Sequence, residues 1–120
     1  MYVRYNANPK TDRGIDCTVR AISTVLNKDW EDIYMELCLQ GLIMGDMPTA
    51  NHVWGKFLRS KGFRSSTVED ETVKSFADTH KKGRYILALK GHVVAVIDGD
   101  YYDTWDSGSE IPLYYWERQK

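Results

Sequence analysis

Hydrophobic positions repeat with a helical period over roughly the first two thirds of the chain and change to a strand-like pattern near residue 84. Apolar residues at i, i+3, i+4 and i+7 indicate amphipathic helices, and capping and glycine signals mark their ends. The pattern predicts four helices, the fourth being the least regular. They begin at about Asp16, Asp29, Thr49 and Asp70 and end at about Leu26, Gly41, Gly62 and His80.

Apolar runs rich in β-branched and aromatic residues follow residue 84 and predict strands over about 85–89, 92–97, 101–105 and 111–116. The Asp98-Gly99 pair is a two-residue hairpin signal, so the strands on either side should pair antiparallel. Residues 63–68 are either a short strand or an extended link, and residues 1–15 form an irregular arm. Helices followed by strands indicate an α+β fold, with N-terminal helices packed on a C-terminal antiparallel sheet of about four strands.

Composition narrows the class of protein without naming a function. The 120 residues predict one domain, 1–120, with ordinary hydrophobic (42%) and charged (28%) fractions. A net charge of −1 with scattered Lys and Arg argues against nucleic-acid binding. No apolar run predicts a membrane span and no secretory signal opens the chain, so we expect a cytoplasmic protein. Neither a cofactor nor an oligomeric state is indicated.

Cys17 lies where the polar arm gives way to the first predicted helix. A thiol at a helix start is close to unpaired backbone N–H groups and the positive end of the helix dipole. That setting lowers a thiol pKa, and the thiolate is the nucleophilic form. Cys17 is therefore the predicted catalytic nucleophile, whereas Cys38, at helical spacing from Tyr34, is read as a small core residue.

A thiolate nucleophile needs a base, and the base needs a group that orients it. His92 is the favoured base because it opens an apolar strand directly after Gly91. If the hairpin is centred on residues 98 and 99, His92 lies opposite residue 105, and Asp103 is a diagonal neighbour within reach. His52 and His80 fit surface or packing roles better. Asp103 is thus predicted to hold the imidazole tautomer and stabilise the imidazolium.

Three further residues near this constellation have predicted supporting, rival or surface roles. Trp105 lies two positions after Asp103 and is expected to shield the His92–Asp103 hydrogen bond from water. Asp106 is a rival carboxylate, but strand alternation turns it to the other face. Arg20, one turn after Cys17, is expected to be a solvated surface residue, with the alternative that it holds the N-terminal arm or a substrate carboxylate.

The order and local context of these residues resemble the papain-like cysteine peptidase superfamily. In that family a helix-start cysteine precedes a histidine that opens an apolar strand, and an Asn or Asp follows, often with Trp two residues on. Cys17, His92, Asp103 and Trp105 match that order, and the chain length is similar to the compact C39-like peptidases of bacteria and their phages. The resemblance implies a papain-like fold and a catalytic triad of Cys17, His92 and Asp103, with no cofactor and no metal.

The chain departs from that family in its oxyanion donor. The family usually carries a Gln about six residues before the cysteine, and here that position is Thr11. We expect the side-chain amide of Asn8, or failing that Asn6, to donate in its place beside the backbone N–H of Cys17. Loop hydrogen bonding is the alternative role for both asparagines.

These residues predict a cysteine hydrolase that cleaves a peptide, isopeptide or related amide bond in a peptide or protein substrate. Three alternatives remain open at this point. The first is a binding module that has the same scaffold but no catalytic activity. In the other two the thiol is used for acyl transfer or for deamidation. A zinc site at Cys17, His92 and Asp103 is disfavoured, because the chain lacks the closely spaced Cys or His pairs typical of such sites.

Overall fold

Helices dominate the first two thirds of the chain and strands the last third, as the change of period predicts. In the computed structural model, which describes residues 1–118, the helices are α1 (Cys17–Leu26), α2 (Trp30–Met44), α3 (Asn51–Ser60) and α4 (Val73–Thr79). The strands are β1 (Tyr2–Arg4), β2 (Phe63–Thr67), β3 (Arg84–Leu89), β4 (His92–Ile97), β5 (Asp100–Asp103) and β6 (Tyr114–Arg118).

The six strands form one mixed sheet with the order β1-β5-β4-β3-β6-β2. The prediction of about four antiparallel strands was therefore wrong in size and in kind. The missing strand at one edge is β1, which pairs parallel with β5 from the other end of the chain. Three residues are too few for side-chain alternation to reveal a strand, so this pairing has no local signal. At the opposite edge β2 pairs antiparallel with β6 and resolves the alternatives for 63–68 in favour of a strand.

Helices cover both faces of the sheet, which explains the nearly continuous apolar runs in the central strands β3 and β4. On one face α1, α2 and α3 pack against alternate strand residues, among them Ile86, Ala88 and Ala95. On the other face α4 packs against Leu87 and Val94. A strand that is buried on both faces loses the polar half of its alternation. The sheet therefore lies between helices that pack on its two faces.

The turn between β4 and β5 is the predicted two-residue hairpin. Asp98 and Gly99 both have positive φ angles, of 50° and 87°, as a type I′ turn requires. Ile97 faces Asp100, and the register continues through Val96 and Ala95 along β4. When this register is extended along both strands, His92 lies level with residue 105 and two positions from Asp103. The register prediction is confirmed.

Three element ends differ from the sequence prediction. Helix α2 continues through Gly41 to Met44. Gly41 is therefore not a helix stop. The turn after the helix folds back so closely that a Cβ at this position would lie 2.5 Å from the Asp46 carbonyl oxygen, so the position requires glycine. β5 ends at Asp103, two residues early, and β6 begins at Tyr114 rather than at residue 111. A close backbone approach and irregular loop turns decide these boundaries.

The described residues form a compact α+β structure. Their Cα radius of gyration is 13.3 Å, close to the value of about 13 Å expected for a domain of roughly 100 residues. None of the four helices in residues 1–118 has the length and apolar character that crossing a bilayer requires.

Candidate active site

Cys17 is the first residue of α1, at the end where backbone N–H groups have no acceptor within the helix. Asp16 occupies the N-cap position, as predicted, but its side chain makes no capping hydrogen bond to a backbone N–H group of the helix. Its carboxylate instead accepts from the Trp30 indole at 2.8 Å, from the Asn8 amide at 3.0 Å and from the Arg20 guanidinium. The first-turn N–H groups beside the thiol are therefore not capped by Asp16.

His92 and Asp103 form a hydrogen-bonded pair. Nε2 of His92 lies 2.6 Å from Oδ2 of Asp103, and the two side chains are only 13% and 2% exposed. The Trp105 ring lies against the imidazole with its centroid 4.9 Å away and tilted by 34°. An enclosed hydrogen bond is stronger than one in water. This is the contact expected of an orienting carboxylate. The Trp105 ring lies beside the imidazole but is itself 46% exposed, so the shielding role expected of it stays a prediction.

Asp103 has further partners that compensate for its burial. The Ser107 hydroxyl donates to Oδ2 at 2.8 Å, and the Thr104 backbone N–H donates to Oδ1 at 2.8 Å. Nη2 of Arg20 lies 3.9 Å from Oδ1. The Arg20 side chain is only 12% exposed, so the expectation that it is a solvated surface residue was wrong. It lies between Asp16 and Asp103 because both carboxylates need a counter-charge there.

His92 and Cys17 line the same cavity. Since Nε2 of His92 is occupied by Asp103, Nδ1 is the ring nitrogen left to interact with the thiol, and this interaction shifts the pKa of both groups. Burial raises the pKa of the Cys17 thiol, but the hydrogen bond and charge of His92, the backbone hydrogen bond of Val93 and the charge of Arg20 together lower it below its ordinary value. Burial lowers the pKa of His92, while hydrogen bonds and charges of Asp103 and Cys17 raise it to about 9. These shifts favour a thiolate–imidazolium pair at neutral pH.

The other titratable candidates lie away from Cys17. Nε2 of His52 pairs with Asp46 at 2.9 Å on the surface. His80 stacks on Phe76 with the ring centroids 3.7 Å apart and hydrogen-bonds its backbone carbonyl. Asp106 accepts from a tyrosine hydroxyl and a backbone N–H rather than from an imidazole. The structure thus brings Cys17 together with one of the three histidines, the one chosen from the sequence.

Cys17 and His92 open into a small cavity of about 230 Å³, called here the Cys17 cavity. Residues of α3 and the loop before it form its opposite side, including Thr49, Asn51 and Trp54. The Trp54 indole N–H donates to Oδ1 of Asn51 at 3.1 Å. An indole nitrogen is only a donor, so this contact fixes the amide orientation, and Nδ2 of Asn51 has no partner recorded within residues 1–118.

The asparagines expected to supply the oxyanion donor have other partners. Nδ2 of Asn8 donates to Asp16, and its Oδ1 accepts two backbone N–H groups of the arm. Nδ2 of Asn6 donates to the Thr11 carbonyl at 3.0 Å. Neither residue lines the Cys17 cavity. Both amides stabilise the turns of the arm, which was the alternative role considered for them.

Sequence reasoning missed the contributions of Ser107 and Asn51. Ser107 follows Asp103 by four residues in a loop, and no local pattern distinguishes it from any other loop serine. Asn51 is the first residue of α3 and is distant in sequence from both Cys17 and His92. Only the packing of α3 against α2 and β2 brings this residue to the cavity. A side chain of this kind has no signal in one sequence.

The arrangement as a whole combines a thiol with a lowered pKa, an imidazole that lines the same cavity and a buried carboxylate hydrogen-bonded to that imidazole, which are the kinds of group that a nucleophilic site requires. Comparison of the chain with models of protein families, with curated proteins and with solved structures finds no match.

We expect iodoacetamide to label Cys17 faster than Cys38 at a pH of about 6, because a lowered thiol pKa preserves the reactive thiolate. Both cysteines are free and half-buried, so a general difference in exposure does not separate them. His92→Ala should move the Cys17 labelling profile to higher pH, since burial then acts without the opposing imidazole. Mass spectrometry of the labelled peptides over a pH series measures both rates, with Cys38 as the internal reference.

Equal labelling rates for the two cysteines near that pH would contradict the assignment. So would a Cys17 profile that His92→Ala leaves in place, because the structure attributes the lowered pKa to that imidazole.

Proposed function

We propose that the protein is a cysteine hydrolase that cleaves a peptide, isopeptide or related amide bond through Cys17, His92 and Asp103. The observation that carries this proposal is the position of His92, which is hydrogen-bonded through Nε2 to a buried carboxylate and lines the same cavity as the Cys17 thiol. The same chain order of cysteine, histidine and aspartate supports membership of the papain-like superfamily, in its compact C39-like form.

The reaction starts from the thiolate–imidazolium pair. The Cys17 sulfur attacks the carbonyl carbon of the amide, and the carbonyl oxygen becomes an oxyanion. As the C–N bond breaks, His92 gives its Nδ1 proton to the departing amine, and a thioester remains on Cys17. Neutral His92 then takes a proton from water, and the resulting hydroxide attacks the thioester. Cleavage of the C–S bond returns the thiolate and the imidazolium.

Asp103 serves both steps through His92. Its hydrogen bond to Nε2 keeps Nδ1 directed at the sulfur and stabilises the ring when it is protonated. Because the carboxylate has its own donors in Ser107 and the Thr104 backbone, it does not rotate away from the imidazole. Trp105 limits the access of water to that contact.

The oxyanion requires N–H donors fixed in advance. Two sources border the Cys17 cavity. One is the first turn of α1, whose backbone N–H groups are not capped by Asp16. The other is Asn51, whose Oδ1 is held by Trp54 and whose Nδ2 is left to donate. We assign Asn51, rather than Asn8 or Asn6, to the role that the family's glutamine fills.

Hydrolysis of a proteome-derived peptide pool tests the activity directly. We expect wild-type protein to generate new peptide termini, Cys17→Ala to generate none, and Cys38→Ala to remain active, because Cys17 and not Cys38 lines the cavity with His92. Mass spectrometry of the pool before and after incubation identifies the termini. A Cys17→Ala variant that still cleaves the pool, or a wild-type protein that cleaves nothing, would refute the proposal.

The oxyanion assignment predicts that Asn51→Ala lowers kcat by a factor on the order of 10²–10³, the usual effect of losing one such donor. Steady-state kinetics on a peptide found in the pool measures it. Removing the acceptor of the Trp54 N–H also costs stability, which urea unfolding determines separately. A large loss of kcat in Asn8→Ala together with a normal kcat in Asn51→Ala would reverse the assignment.

The raised pKa of His92 predicts a high-pH limit to activity. The imidazolium must be present to protonate the leaving amine, so kcat/KM should fall as pH rises through about 9. Because the Asp103 hydrogen bond and charge raise that pKa, Asp103→Asn should move the limit to lower pH. Asp106→Asn is the matched control, since Asp106 bonds elsewhere. An unchanged limit in Asp103→Asn would contradict the assigned role of this carboxylate.

A further inference from the structure

A second depression adjoins the Cys17 cavity along helix α3. It has a volume of about 500 Å³ and is called here the Arg59 trough. Asn51 lines both depressions, and Trp54 of the cavity stacks on Tyr114 of the trough with an angle of 11° between the rings. The backbone N–H of Leu113, another trough residue, donates to the carbonyl of Ala88, which lines the cavity. The trough is therefore an extension of the candidate active site.

The lining of the Arg59 trough is suited to a polypeptide. One side presents the hydroxyl residues Ser65, Ser66 and Thr67 of β2, which is the outermost strand of the sheet. The exposed Leu113 and the ring of Tyr114 add apolar surface. An outermost strand has one edge of unpaired backbone N–H and C=O groups, and such edges bind extended peptides. Hydroxyl, apolar and aromatic groups together fit a peptide better than a uniformly charged ligand.

Among the described residues, the trough is lined by a cationic side chain and by no acidic one. The Arg59 guanidinium lies 5.1 Å from the centroid of the Trp116 ring, and within residues 1–118 no carboxylate lies at ion-pair distance from it. No Asp or Glu lines the trough. His52, another lining residue, already pairs with Asp46. Arg59 is thus a positioned cation whose electrostatic complement is absent from its surroundings.

We propose that the Arg59 trough binds the substrate chain on one side of the scissile bond and that Arg59 selects an Asp or Glu side chain there. This inference rests on the proposed function, and it assigns the substrate class as acidic peptide segments. Arg59 follows Asn51 by two helical turns, about 12 Å along α3. An extended chain covers that length in about four residues. The selected acidic residue therefore lies about four to six residues from the cleaved bond.

Two measurements on the same peptide pool test this inference. In the first, cleavage sites of the wild-type protein are aligned, and the frequency of Asp and Glu is read at each position. In the second, peptides retained by immobilised Cys17→Ala protein are identified, so that binding is read without catalysis. Arg59→Glu, the milder Arg59→Gln, and Lys56→Glu are compared in both. Lys56 is the matched control because it is an exposed cation of α3 that lines neither depression.

We expect Asp and Glu to be enriched at one position in both measurements and the enrichment to fall about tenfold in Arg59→Glu, as for the loss of one charge-assisted hydrogen bond. Arg59→Gln should fall in the same direction, and Lys56→Glu should resemble wild type. A bound pool with no acidic preference, or a preference that survives both Arg59 variants, overturns this inference while hydrolysis stands. Arg59-dependent binding of acidic peptides without any cleavage would instead overturn the proposed hydrolase and retain the docking surface.

Discussion

The candidate site depends on one constraint, a carboxylate that has been removed from water. Asp103 is 2% exposed at its side chain, and a buried charge is costly unless it is paired and hydrogen-bonded. Its partners come from three separate parts of the fold: His92 at the start of β4, Ser107 and the Thr104 backbone in the loop after β5, and Arg20 on α1. Satisfying this one group therefore holds a helix, a hairpin and a loop in a single arrangement.

The same constraint connects the N-terminal arm to the chemistry. Arg20 bridges Asp103 and Asp16, and Asp16 in turn accepts from Asn8 and Trp30. The backbone of the arm is fixed as well, because β1 lies parallel to β5 and brings Arg4 level with Asp103. Charge compensation thus extends from the arm through α1 to the imidazole. The arm, which the sequence predicts to be irregular, is part of the support of the candidate site.

The elements around Cys17 contribute different groups to the candidate site. The sheet and α1 supply the thiol, the base and the orienting carboxylate. Helix α3 approaches from the opposite side and contributes Asn51 to the cavity and Arg59 to the adjoining trough. Asp103 is buried and hydrogen-bonded, and Cys17 and His92 are half-buried, whereas Asn51 and Arg59 of α3 are exposed. In the proposed hydrolase, this separation would allow the substrate preference of the α3 side to vary without disturbing the charged network.

What the sequence determined by itself was local: the four helices, the central strands, the type of turn at residues 98 and 99 and, through that turn, the nearness of His92 to Asp103. Hydrophobic period and turn chemistry act between residues a few positions apart, so they can be recognised in a single sequence. Only the tertiary structure decided the pairing of β1 with β5, the burial of Arg20 between two carboxylates, and the partner that each asparagine amide found. These depend on contacts between residues tens of positions apart, and a charged or amide side chain has the same appearance in sequence whether it faces water, a buried carboxylate or a reacting carbonyl.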